Sequence, residues 1–87
     1  MEDELDLHGQ TVDTAHRALG EFLDEALAAR KRCVRVIHGK GLGSAAGEPV
    51  LKGRVRLWLA GRHAIRAFAQ APVAQGGRGA LLVLLES

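Results

Sequence analysis

Tyrosine is absent from the 87-residue chain, and its aromatic side chains are limited to Trp58, Phe22 and Phe68. The core must therefore be built from Leu, Val, Ile and Ala. An aromatic platform of the kind on which single-strand binders stack bases has no material here. Cysteine occurs once, as Cys33, which excludes an internal disulfide or a zinc-knuckle cluster and fits a reducing cytoplasm. No apolar run approaches the roughly 20 residues of a membrane span. The first residues, Met1-Glu2-Asp3-Glu4, are acidic and do not form a signal peptide. What remains is ordinary globular material: 47% of the residues are hydrophobic, enough for one small cytoplasmic domain with its own core.

The formal net charge of +2 conceals a segregation. Residues 1–25 carry eight acids (Glu2, Asp3, Glu4, Asp6, Asp13, Glu21, Asp24, Glu25) against Arg17. Residues 30–66 carry ten bases (Arg30, Lys31, Arg32, Arg35, Lys40, Lys52, Arg54, Arg56, Arg62, Arg66) against Glu48. A positive face able to meet a polyanion is one consequence, and a merely solvated cationic surface is the other.

Along the chain, residues 4–8 read as a short strand with Leu5 and Leu7 inward and Asp6 and His8 on the opposite side. Gly9 and Gln10 turn the chain, and Thr11 is suited to cap a helix. Val12, Ala15, Leu19, Phe22, Leu23, Ala26 and Leu27 recur at helical spacing and predict a helix to about Arg30, with Gly20 a mild defect in its interior. Arg32 to Ile37 is a second strand. The strand–helix–strand order predicts parallel pairing, which sets the C-terminal ends of both strands at one sheet edge. Residues 39–48 form a glycine-rich loop, and Pro49 opens a second helix at about 49–60 with Leu51, Val55, Trp58 and Leu59 on one face. His63 to Ala69 is a third strand. A Gly76-Gly77-Arg78-Gly79 loop follows, and Ala80 to Leu85 reads as a central strand covered on both faces.

Two units stand out: Leu5-Asp6-Leu7-His8-Gly9, and Val36-Ile37-His38-Gly39-Lys40-Gly41-Leu42-Gly43-Ser44. With the helix between them, the helix from Pro49 and the terminal run GGRGALLVLL, they resemble the Smr (small MutS-related) domain over residues 5–86. The longer form of the second motif is most similar to stand-alone bacterial Smr proteins. Those carry an N-terminal extension, so residues 1–87 are expected to be the C-terminal part of a longer chain. The resemblance implies a two-layer α/β sandwich of β-α-β-α-β-β order with a four-stranded mixed sheet, similar to the C-terminal domain of bacterial translation initiation factor three. It also implies nucleic-acid binding, commonly with nicking of DNA or cleavage of RNA. Carried over by motif position, Asp6 and His8 are tied to cleavage. His38, Gly39, Lys40 and Gly41 are tied to binding or activity.

The residue types suit phosphodiester chemistry. Imidazoles titrate near neutral pH and can take a proton from an attacking oxygen or give one to a leaving oxygen. His8 is a candidate base, with Asp6 orienting it or holding a metal-bound water. His38 is a candidate acid or phosphate ligand. Two residues of extended strand span roughly 7 Å, so Asp6 and His8 are expected to converge on substrate rather than on each other. Lys40 and the amides of Gly39, Gly41 and Gly43 are candidates to hold phosphoryl oxygens, with Lys52, Arg54 and Arg78 extending a backbone-binding surface. The plainer role for either histidine alone is a hydrogen bond to a loop backbone.

Asp6, His8 and His38 also make a two-His-one-carboxylate set. A divalent Mg²⁺ or Mn²⁺ is thus the one cofactor to consider, although no second carboxylate sits at a strand end. The glycine loop lacks the P-loop pattern, and Gly41-x-Gly43-x-x-Ala46 is a weak dinucleotide match in too small a domain. His16, His63 and Cys33 read as structural or incidental, and Trp58 as core. The resulting expectation is a binder and nicking endonuclease of structured DNA or RNA, contacting phosphates, without a membrane or small-molecule partner. Two alternatives stay open: a non-catalytic binding module of a repair- or ribosome-associated protein, and an interaction domain for an acidic partner.

Overall fold

The computed structural model describes residues 2–39 and 50–86. In chain order these form β1 (Glu4–Asp6), α1 (Val12–Ala28), β2 (Cys33–Ile37), α2 (Val50–Ala60), β3 (Ile65–Gln70), two short 3-10 turns over 73–75 and 77–79, and β4 (Ala80–Leu85). The sheet order is β1-β2-β4-β3. β1 and β2 run parallel, while β4 is antiparallel to both β2 and β3. The expected element order and mixed four-stranded sheet are therefore present.

Thr11 begins α1 by accepting the Thr14 N–H at 3.2 Å on its hydroxyl. Ala15, Leu19, Leu23 and Ala26 then place one apolar stripe against the sheet. The helix ends before Arg30, because Arg30 adopts φ 59°. The Arg30 and Lys31 N–H groups donate back to Leu27 and Ala26 carbonyls at 3.0 Å each, a Schellman closure with arginine where glycine is usual. From the sheet side, Val34, Val36, Leu81 and Val83 meet that stripe, joined by Leu7, Val55 and Leu59.

Two expectations change. β1 stops at Asp6 instead of continuing to residue 8, although the Leu7 N–H still donates to the Ile37 carbonyl at 2.7 Å. β4 is central but covered by helices on one face only. Leu81, Val83 and Leu85 are buried, whereas Leu84 is 48% exposed on the other face. Both helices of a two-layer fold lie on the same side of the sheet, so an uninterrupted apolar run does not require cover on both faces. The expected role of Pro49 in starting α2 lies outside the described residues.

Candidate nucleic-acid cleavage site

Where β1 ends, alternation puts Asp6 on the open face of the sheet, opposite to Leu5 and Leu7. The chain then turns through His8 and Gly9, with Gly9 at φ 77°. This turn folds His8 back, so that its backbone N–H donates to Asp6 Oδ1 at 3.0 Å and its ring Nδ1 lies 2.6 Å from the same oxygen. Asp6 and His8 thus form a dyad, contrary to the spacing argument. The 7 Å estimate holds for an extended strand, and the strand has already ended at Asp6. An ionised carboxylate only accepts, so Nδ1 carries the hydrogen, and in the neutral tautomer Nε2 is the acceptor. The His8 hydrogen bonds are the main reason that the Asp6 carboxyl sits below its ordinary range, with slight burial opposing. Both side chains are open to solvent, His8 at 69% and Asp6 at 47%.

At the end of β2, His38 follows Val34 and Val36 to the helix-facing side and is buried. Its Nδ1 lies 2.6 Å from the Gly39 carbonyl, which can only accept, so this nitrogen carries the hydrogen. Nε2 is buried with no hydrogen-bond partner among the described residues. Burial lowers the His38 pKa, and the nearby Lys52 and Arg56 charges of α2 lower it further, while the Gly39 bond opposes them. Burial thus favours the neutral ring, in which Nε2 is the acceptor.

Gly39 joins the two motifs. It has φ +85°, and a Cβ there would stand 3.1 Å from the His8 Cβ. Parallel pairing has therefore brought the two His-Gly ends against each other. A third segment secures them: the Gly79 carbonyl accepts from the His38 N–H at 2.9 Å and from the Gly39 N–H at 3.0 Å. Exposed Arg78 precedes that clamp in the chain. Lys52 lies close enough to act on His38, whereas Arg54 is exposed on α2 and no contact ties it to the strand ends among the described residues. Lys40, Gly41 and Gly43 lie outside the described residues.

A bracing network that no motif in the sequence marks supports the site. The Arg35 guanidinium pairs with the Glu4 carboxylate across β1 and β2, its Nε at 2.8 Å, and its Nη1 donates to the Gln75 carbonyl at 3.0 Å. Only the strand register, Glu4 opposite Arg35, exposes this pair. Lys31 bonds Asp3 at 2.6 Å and Arg62 reaches Asp24 at 3.3 Å. Part of the segregated charge is thus spent within the fold.

Among the described residues no group of three His, Cys, Asp or Glu side chains could hold a metal ion. Asp6, His8 and His38 are not a preformed ligand set among the described residues. His16 stacks on Trp58 at the surface, with ring centroids 4.3 Å apart. Trp58 is half-buried at the edge of the core instead of within it.

The Smr domain family model matches residues 5–86. The chain belongs to the Smr domain family. It is 43% identical over 81 residues to the ribosome rescue factor SmrB of Aliivibrio fischeri strain MJ11, covering 93% of this chain and 42% of that protein. To the ribosome rescue factor SmrB of Vibrio cholerae strain O395 it is 44% identical over 81 residues, covering 93% of this chain and 40% of the relative. The chain spans about two-fifths of the length of these curated relatives. Among solved structures, the Smr domain of Thermus thermophilus MutS2 superposes with a TM-score of 0.86 at 34% identity, over 98% of this chain and 99% of that one. YdaL, a stand-alone small MutS-related protein of Escherichia coli, superposes with a TM-score of 0.89 at 31% identity, over 97% of this chain and 64% of that one. No helix among the described residues is long and apolar enough to cross a membrane.

Proposed function

We propose that this Smr domain binds structured RNA through its phosphates, in a cytoplasmic, ribosome-associated setting, and cleaves it with the Asp6–His8 dyad. The observation that carries the reading is the dyad itself: a carboxylate fixes the Nδ1–H tautomer of a solvent-facing imidazole, leaving Nε2 as a base. The SmrB names of the relatives support RNA as the polymer. In the proposed step His8 Nε2 takes the proton of a ribose 2′-hydroxyl. The 2′-oxygen then bonds to the adjacent phosphorus as the P–O5′ bond breaks; O5′ takes a proton from water, and the hydroxide so formed takes the proton held on His8 Nε2. The products are a 2′,3′-cyclic phosphate and a 5′-hydroxyl.

His38 has the positioning part in this scheme: turned onto the Gly39 carbonyl, it holds the backbone at the end of β2 beside His8. Lys40, Gly41, Gly43, Lys52, Arg54 and Arg78 are assigned to the phosphate backbone. Incubation with structured RNA and with branched DNA, each with and without EDTA, followed by end-group analysis, tests the proposal. The expected result is RNA cut to cyclic-phosphate and 5′-hydroxyl ends regardless of EDTA. Products with 5′-phosphate ends, or a strict metal requirement, would refute the dyad mechanism. The openness of the dyad favours one second reading, a module that binds without cutting, which predicts salt-sensitive RNA binding with no new ends.

A further inference from the structure

A hollow of about 300 Å³ opens on the helical layer, bordered by His16 and Gly20 of α1 and by Leu57, Trp58, Gly61 and Arg62. Its shape depends on an unusual choice. Gly20 stands in the interior of α1, where alanine would favour the helix by about 1 kcal/mol, and a Cβ there would meet only Arg62 Nη2, at 4.0 Å. Packing alone therefore does not demand glycine. The Trp58 indole lies flat on the His16 ring, 11° from parallel. Beside it Leu57 is 70% exposed, an apolar side chain facing water next to a half-buried indole.

A second depression of about 540 Å³ continues from the same His16 and Gly20 and is bordered by Asp13, Glu21 and Asp24 with Arg17. All three acids are exposed. Asp24 is shared with Arg62, while Asp13 and Glu21 have no ion-pair partner among the described residues. An apolar hollow and an acidic one thus share a wall, on a chain whose net charge is +2.

We propose that this double hollow docks a basic amphipathic segment of a partner protein, with an apolar side chain between Leu57 and Trp58 and Lys or Arg side chains on Asp13 and Glu21. Charge complementarity selects the occupant. The carboxylates repel a phosphate backbone, so the stacked rings are not a base-binding platform. Apolar surface of this kind next to like charges fits the helix-in-groove mode, in which one anchor is buried and flanking charges set orientation. The surface shares no residue with the Asp6–His8–His38 site and does not rest on the proposed cleavage.

Trp58 is the only tryptophan of the chain, so its fluorescence reads the hollow directly. A short amphipathic leucine–lysine peptide, titrated in about 0.15 M salt to screen diffuse attraction, should change the Trp58 emission saturably. Its affinity should fall about tenfold in Leu57→Asp and in the double variant Asp13→Asn, Glu21→Gln. All three substituted side chains are exposed, so the variants retain the fold. The matching leucine–glutamate peptide should not bind. An equal response to that peptide, unchanged affinity in the variants, or no saturable response would overturn the proposal. So would an RNA oligonucleotide that shifts Trp58 in a Leu57-dependent way, or self-association without peptide that Leu57→Asp abolishes.

Discussion

At the residue scale, the proposed cleavage rests on one oxygen. Asp6 Oδ1 accepts from both the backbone and the ring of His8, so it fixes where the imidazole stands as well as its tautomer. His8→Ala is expected to reduce cleavage by about 10²-fold or more with little change in RNA affinity, and Asp6→Asn to fall in the same direction through the wrong tautomer. Single-turnover cleavage beside a binding isotherm checks both, and undiminished cleavage in His8→Ala would remove His8 from the mechanism. His38 gives a prediction about pH. Its folded pKa lies below the ordinary 6.5, so the folded state resists the proton that the unfolded chain accepts. Stability is complete above that value and is lost as the pH falls through the window below it. Glu2, Asp3 and Asp6 are also lowered, from 4.5, 3.8 and 3.8, and so act in a more acidic window. Thermal melts from pH 7 to pH 5 should therefore fall less steeply in His38→Gln, whose amide still donates to Gly39; identical slopes would count against a buried neutral ring. Both histidines were legible in the sequence as strand-end residues. Their different environments were not, because the turn after Asp6 and the cover over His38 are products of tertiary structure.

At the element scale, the apolar periodicities located both helices and all four strands to within a few residues, because each stripe is buried on one side only. The ends were less legible. α1 stops where Arg30 enters the left-handed region, and no glycine marks the place. That conformation costs a residue with a Cβ about 1 kcal/mol, so Arg30→Gly should stabilise the domain by that amount, or about 4–8 °C in melting temperature. A lower melting temperature would mean that the Arg30 side chain contributes more than its backbone strain removes. β4 shows the opposite failure. Its unbroken apolar run suggested two buried faces, yet Leu84 looks outward, because composition alone does not reveal how many layers cover a strand.

At the scale of the whole molecule, the segregated charge divides into three uses. Acids of the N-terminal segment bind Lys31 and Arg35, the exposed side of α1 stays acidic, and Lys52 and Arg56 gather near His38. If the phosphates meet Lys52 of this group together with Arg54 and Arg78, log affinity for a single-stranded stretch of the RNA should fall linearly with log salt. Each of Lys52→Ala, Arg54→Ala and Arg78→Ala should then flatten the slope by about 0.7. A slope unchanged in all three would place the phosphates elsewhere. The resemblance in the two His-Gly motifs made the family legible from sequence; the bracing of Arg35 on Glu4 and Gln75 was not, since it depends on register.

The two halves of the site also differ in how firmly they are held. His38 and Gly39 hang from one carbonyl, Gly79, just before the central strand, while Asp6 closes a three-residue strand at the sheet edge. Local opening should begin at such an edge and leave the centre intact. Amide hydrogens of Leu5 and Leu7 are thus expected to exchange with deuterium faster than that of His38. The protein would then carry a folded form in which the glycine turn persists and the dyad is briefly undone.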